Sequence, residues 1–296
     1  METIEDLKKR IGSTKDLQSV VKTMKAMAAV KIRQYERAVE SLADYNETVE
    51  RGFQIILRNR PDLMVEAHPS TGAKLGAVIF GSDQGMCGQL NDQIVSHALE
   101  KMNRFSPGEK QQRFVMAIGE RVRGRLEDTG QSGAKFLSLP GSVTGIVPKV
   151  QDVLSVILRW NEDQGLEQVF LFYSKPLSGA RYRPHSVHLL PLDRDWLQSI
   201  RGRTWPTRSV PQFTMDWDPL FSVLVRQYLF VALFRAFAES LASENASRLA
   251  AMQGAEKNIE ERLAELNLTY HQERQMTITE ELLDIVSGFE ALEQDS

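Results

Sequence analysis

No proline occurs after Pro219, and that absence constrains the fold more than any other feature of the sequence. Asp218-Pro219 is a helix start, because Asp accepts hydrogen bonds from orphan N–H groups and Pro suits the first turn. From there to Leu292 the chain is rich in Ala, Leu, Glu, Gln and Arg, good helix formers interrupted only by Gly254 and Gly288. The stretch reads as one helix of roughly 75 residues, about 110 Å long at a rise of about 1.5 Å per residue. No ordinary domain core is that deep, so such a rod needs a partner along its length.

The other end of the chain supplies one. The first proline is Pro61, and before it Leu17, Val21, Met24, Ala28, Ile32, Tyr35, Val39, Leu42, Tyr45, Val49, Phe53 and Ile56 form an apolar series. Its mean step of about 3.5 residues is that of a coiled-coil seam. Two terminal rods with the remainder looped out between them predict an antiparallel hairpin. With the helices level at Arg58 and Pro219, the C-terminal rod outlasts the other by about 19 residues, roughly 28 Å. This overhang carries Ile278, Leu282, Ile285, Val286, Phe289 and Leu292 near one side. That is too apolar to stand bare in water, so a separate sleeve is expected around it.

Between the rods the periodicity changes. Leu75–Phe80 is a short continuous apolar run, as in a strand covered on both faces. A turn follows, then a helix over Asn91–Phe105. Phe114–Ile118, Lys135–Leu139, Gln168–Tyr173 and Ser186–Leu190 read as further strands, with helices over Glu120–Glu127 and Val147–Trp160. The fold class is therefore α/β: a long antiparallel coiled coil of the N- and C-terminal helices plus a central Rossmann-like domain with a mainly parallel sheet. The expected divisions are 1–60 for the first rod, 72–192 for the α/β domain, 193–217 for an irregular return segment and 218–296 for the second rod.

Composition narrows the function. A net charge of −3 over 296 residues gives no reason to expect nucleic acid. Cys87 is the single cysteine, which excludes an internal disulfide and a cysteine-cluster metal site. No His/Asp/Glu cluster has metal-ligand spacing, no apolar run approaches the length of a membrane span, and the start has no secretory h-region. A cytoplasmic protein without a metal or cofactor is expected. The charge is uneven: residues 8–33 carry eight Lys/Arg against Asp16, whereas residues 256–296 carry eleven acids against Lys257, Arg262 and Arg274. In an antiparallel hairpin these segments lie side by side. Either they neutralise each other across the coil, or some of the charges face a third party.

Gly81-Ser82-Asp83-Gln84-Gly85-Met86-Cys87-Gly88 sits after a strand and before a helix, where phosphate-binding loops occur. It lacks both the G-x-G-x-x-G spacing and a following Gly-Lys-Ser/Thr, so it reads as a tight turn. Cys87 has no recognisable histidine spacing to serve it as a base.

Several motifs nevertheless match one family. Met24-Lys25-Ala26-Met27-Ala28-Ala29-Val30-Lys31-Ile32-Arg33 resembles the N-terminal helix signature of the gamma subunits of F-type ATP synthases. Ser82-Asp83-Gln84-Gly85-Met86-Cys87-Gly88-Gln89-Leu90-Asn91 resembles their Ser-Asp-Arg-Gly-Leu-Cys-Gly-Gly-Leu-Asn turn. The C-terminal match runs through Ala242-Ser243-Glu244-Asn245-Ala246-Ser247-Arg248, Leu266-Asn267-Leu268-Thr269-Tyr270, Arg274-Gln275-Met276-Thr277-Ile278-Thr279-Glu280-Glu281-Leu282 and Asp284-Ile285-Val286-Ser287-Gly288. Gln84, Gln89, His271-Gln272 and Lys22-Thr23-Met24 depart from the family pattern. With Arg33-Gln34-Tyr35-Glu36-Arg37, they are more similar to the alternate, sodium-type F-type ATPases.

The resemblance implies a non-catalytic central rotor shaft, peripheral on the cytoplasmic face of the cell membrane. Its partners would be the alpha and beta subunits of the catalytic ring, the epsilon subunit and the c-subunit ring. It also implies site residues. Met24, Lys25, Arg248, Arg274, Gln275, Thr279 and Glu281 would make rotor–stator contacts, the Arg274-Gln275 pair hydrogen-bonding a beta-subunit loop. The six apolar overhang residues would form a tip bearing. Asp83, Gln84, Met86 and Cys87 would lie on the turn beside epsilon and the c ring. Read from the residues alone, Met24 and Met27 suit coil packing, Arg248 is an exposed charge paired with Glu244, and Arg274, Gln275 and Thr279 form a solvated face. A coiled-coil scaffold with a non-catalytic α/β head is the alternative function.

Overall fold

The computed structural model describes residues 3–63, 74–105, 113–131, 133–177, 181–206, 211 and 213–294. Its helices are α1 (Ile4–Ser41), α2 (Ala43–Asn59), α3 (Leu90–Phe105), α4 (Glu120–Asp128), α5 (Ile146–Gln164), α6 (Arg194–Gly202) and α7 (Trp217–Gln294). Its strands are β1 (Leu75–Phe80), β2 (Arg113–Ile118), β3 (Lys135–Leu137), β4 (Gln168–Pro176) and β5 (Tyr182–Leu190). The chain forms two compact units, Ala28–Arg248 and Met1–Met27 with Leu249–Ser296.

In the larger unit the sheet order is β3-β2-β1-β4-β5, with β5 alone antiparallel to its neighbour. All six residues of β1 are buried, as its unbroken apolar run requires. Val78 and Phe80 face a layer made by α5 and α7, and Ala77 and Ile79 face one made by α3 and α4. The α5–α7 layer includes Leu229, Leu233, Phe237 and Leu241 of α7 together with Tyr35, Ala38 and Leu42. The Phe80 and Phe237 rings meet edge to face at 4.9 Å. α7 is thus a core helix of the α/β unit as well as a coil strand. That is why packing divides the chain otherwise than the helix ends do.

The same packing revises the membrane expectation. Within Trp217–Ser287, α7 holds an 18-residue window of mean hydropathy 1.6, apolar enough by composition to span a bilayer. Part of this helix serves the protein core, with Leu229, Val231, Leu233 and Phe237 buried in the sheet layer.

Three local readings change. The N-terminal rod is two helices, with a turn at Leu42 before α2 begins. The return segment is not wholly irregular: it opens with α6, capped by Asp193, whose carboxylate accepts from the Asp195 and Trp196 amides at 2.9 and 3.4 Å. Trp196 of α6 packs on Phe53 of α2 with ring centroids 5.6 Å apart. β5 begins at Tyr182 rather than Ser186, because an edge strand tolerates the polar Arg183 and His185 that hide it from an apolar search.

In the smaller unit α1 and α7 run antiparallel. Leu7 and Ile11 pack with Leu266, and Val21 packs with Met252 and Ile259. Leu17, expected in the seam, is 53% exposed. The inward series is Leu7, Ile11, Thr14, Gln18 and Val21, alternating steps of four and three, so two polar residues hold seam positions that an apolar search skips. Tyr45, on α2 of the larger unit, is likewise exposed.

Candidate functional site

The strand-to-helix turn after β1 is built as one hydrogen-bonded knot. The Gly81 amide donates to the Ile118 carbonyl at 2.8 Å, and the Ser82 amide donates to Asn91 Oδ1 at 3.0 Å. Asn91 Nδ2 returns to Ser82 Oγ at 2.9 Å. Asp83 uses both carboxylate oxygens, accepting from the Glu120 amide at 3.0 Å and the Leu139 amide at 2.9 Å. It thereby caps α4, whose own N-cap, Gly119, has no side chain to do so. Gly119 has φ 112°, and a Cβ there would lie 2.8 Å from the Ser82 carbonyl oxygen, so the position demands glycine. Met86 takes the left-handed region (φ 60°), rare for a residue with a side chain, and stands exposed beside the exposed Gln84.

α7 ties this turn down. Ser247 Oγ donates to the Cys87 carbonyl at 2.6 Å. Arg248 Nη2 donates to the Gln84 and Gly85 carbonyls at 3.4 and 3.3 Å, and to Glu244 Oε1 at 2.6 Å. The pair is buried, Arg248 at 8% and Glu244 at 6% exposure. Burial pushes the Glu244 carboxyl above its ordinary value, against the lowering by Arg248.

Several expectations are corrected here. Arg248 is not an exposed charge: its guanidinium is buried and serves the turn. Cys87 is 2% exposed, and the Asp83 carboxylate is spent on internal amides, so Gln84 and Met86 alone of the four expected turn residues are exposed. The contact of Ser247 and the burial of the expected Glu244–Arg248 pair were missed. Their signal is the Ser240, Ser243, Ser247 spacing, small polar residues three and four apart on an otherwise apolar helix, where a backbone approaches closely.

The knot also limits what the turn can offer a nucleotide. The first two amides of the turn, which a phosphate cradle would need, are already bonded within the protein. The groove beside the turn, about 660 Å³, is lined by Asp83, Asp92, Glu120 and Asp128 against Arg121 and Arg125, and the Arg125 guanidinium is paired with Asp92 at 2.8 Å. The isolated chain is therefore expected to bind ATP and ADP no tighter than about millimolar. Micromolar binding in a calorimetric titration would overturn this.

In the smaller unit, Met24 is partly buried against the Val21–Met252–Ile259 cluster, and Lys25 makes an ion pair with Glu256. Both take part in the hairpin's own packing and stay partly exposed. Leu17, Val20 and Met27 occupy the outer side of α1 instead. Lys8 lies over the Tyr270 ring, 5.9 Å from its centroid, while Lys9, Lys15 and Lys22 are exposed and form no ion pair among the described residues. Mutual neutralisation across the coil is thus only partial. Arg274, Gln275, Thr279 and Glu281 are all exposed, and Thr279 Oγ1 donates to the Gln275 carbonyl at 2.9 Å.

Beyond Tyr270, the last α7 residue packed on the Leu7–Ile11 cluster, α7 continues past the start of α1. Ile278, Leu282, Ile285 and Val286 are 46–60% exposed there, joined by Met276 and Leu283. The side chains of Phe289 and Leu292, expected in the same group, lie outside the described residues. An apolar surface this continuous marks an interaction site.

A family model described as ATP synthase matches residues 3–292. The ATP synthase gamma chain of Nitrosomonas europaea is 26% identical over 300 residues, covering 99% of this chain and 100% of the relative. That of Syntrophus aciditrophicus is 29% identical, covering 99% of each. Among solved structures, a chain of the Euglena gracilis mitochondrial ATP synthase, OSCP/F1/c-ring in rotational state 3, has a TM-score of 0.62 at 15% identity, covering 98% of this chain and 94% of that chain. A chain of the Tetrahymena thermophila mitochondrial ATP synthase central stalk and c-ring has a TM-score of 0.55 at 21% identity, covering 80% of this chain and 99% of that one. The structural likenesses bear on the fold.

Proposed function

This chain belongs to the ATP synthase family, as a gamma chain, and from that premise we propose how its surfaces carry out the work. It is the central rotor shaft of a rotary F-type ATP synthase, coupling ion flow through the membrane sector to ATP synthesis or hydrolysis in the catalytic ring. The observation that carries the role is the family match running across both long helices and the sheet domain together.

Exposure supports the finer assignments. The bare apolar end of α7 turns inside a sleeve made by the alpha and beta subunits, with Ile278, Leu282, Ile285 and Val286 as its bearing surface. Arg274 and Gln275 meet a beta-subunit loop, with Thr279 and Glu281 on the same exposed stretch. The unpaired Lys9, Lys15 and Lys22 favour carboxylates on what surrounds α1. Gln84 and Met86 present the turn to a neighbouring subunit, and epsilon joins the c ring among the partners. The chain itself is non-catalytic and sits on the cytoplasmic face of the membrane.

The test uses Arg274→Ala combined with Gln275→Ala in the assembled complex. Rotation-coupled ATPase activity is expected to fall, because charge-assisted hydrogen bonds are worth about 1.5–3 kcal/mol each. Both side chains are exposed on the chain, so its helicity and melting should not change. Unchanged turnover with intact assembly would remove these residues from the contact.

A further inference from the structure

A second polar site lies on the other face of the sheet from the groove between α3 and α4. It is a half-open cavity of about 210 Å³ where α2, β4, β5, α6 and α7 converge. Its walls carry Lys175 of β4, His185 of β5, and Tyr228 and Arg235 of α7. Glu50, the carboxylate on the rim, is engaged by Arg203 and by Asn46. Among the described residues Lys175 and Arg235 form no ion pair, and Arg235 Nε is buried without a hydrogen-bond partner. A guanidinium N–H left bare in the interior costs free energy unless something accepts from it. Glu239, one turn beyond Arg235, is buried and acts on the Tyr173 hydroxyl, while its Oε2 has no hydrogen-bond partner among the described residues. Burial raises both Tyr173 and Tyr228 above the usual phenol range, so the tyrosines stay neutral and Tyr228 keeps a proton to donate.

We propose that this cavity binds a small oxyanion of the phosphate or sulfate class, held by Lys175 and Arg235 with Tyr228 and His185 as further donors. The reason is chemical. Two unpaired cations and neutral N–H and O–H donors converge on a space that suits a tetrahedral oxyanion with a few waters and is too small for a nucleotide. The bound anion would clip α7 to the β4–β5 edge, bridging the shaft helix and the sheet. Nothing in the rotor assignment requires or supplies this site.

The experiment is a calorimetric titration of the full chain with inorganic phosphate at constant ionic strength, with ATP and vesicles containing anionic phospholipid as separate arms. Saturable one-to-one phosphate binding is expected, weakened about tenfold or more in Lys175→Gln and in Arg235→Gln, as loss of a charge-assisted hydrogen bond implies. Lys175 is half-exposed at the sheet edge, so Lys175→Gln retains the fold even if Arg235→Gln does not. Circular dichroism of each variant checks this. No saturable binding at millimolar phosphate, equal affinity in the folded Lys175→Gln variant, or binding to vesicles without binding of free phosphate would each overturn the proposal.

Discussion

Removing residues from Thr277 onward is expected to leave the hairpin folded and to abolish most of its hold on the catalytic ring. The α1–α7 seam is made by Leu7, Ile11, Val21, Met252, Ile259 and Leu266, all on the retained side of the cut. The removed segment carries Ile278, Leu282, Ile285 and Val286, which make no seam contact and stand about half in water. Burying each fully in a sleeve would contribute about 1.5–3 kcal/mol, so half-burial of the four gives roughly 3–6 kcal/mol. Ordering the sleeve offsets part of that. Circular dichroism should show lost helicity in proportion to the residues removed and little change in melting. Co-purification with alpha and beta subunits should drop sharply. If the truncated chain instead loses most of its helicity alone, the overhang is part of the fold and the bearing assignment is wrong.

Arg248→Met should destabilise the larger unit by about 3–5 kcal/mol, the usual cost of breaking a buried pair from one side. The substitution strands Glu244 in the core and releases the Gln84 and Gly85 carbonyls from α7. Its pH dependence identifies the cause. The Glu244 carboxyl already sits above its ordinary 4.5 through burial, and losing Arg248 removes the opposing influence. A carboxyl with a raised folded-state pKa binds more protons in the native state than in the unfolded one. Stability is therefore lost as pH rises through the folded-state value and regained on acidification toward 4.5. Urea unfolding at pH 5 and pH 8 should show the variant's deficit larger at pH 8, and Glu244→Gln in the same chain should recover part of it. A deficit below about 1 kcal/mol that is equal at both pH values would place Arg248 on an ordinary surface pair.

How much of this was legible beforehand differs from element to element. β1 announced itself, since six consecutive apolar residues have few other uses. β5 was half hidden, because an edge strand meets solvent and its polar residues break the pattern. Arg274 and Gln275 were placed on a water-facing stretch by helical continuity, and they are exposed. Arg248 was misplaced: an Arg four residues after a Glu looks the same in sequence whether the helix face is wet or pressed against a loop that lies far away in the chain. Leu17 went astray by one helical step, because Thr14 and Gln18 hold seam positions that apolar residues were expected to fill.

Local chemistry by itself determined the two long helices, their antiparallel pairing, the βα alternation of the middle and the apolar overhang. Proline placement, propensity and periodicity act over a few residues, and a helix that outlasts its partner leaves an overhang whatever else the chain does. Tertiary structure alone decided that α7 is also a core helix of the sheet, that Arg248 and Ser247 lock the turn after β1, and that Lys175, His185 and Arg235 share a cavity. The reason is burial. Whether a polar side chain is solvated, paired or left wanting depends on which distant segment packs over it, and residues 175, 185 and 235 become neighbours only when β4, β5 and α7 close on one another.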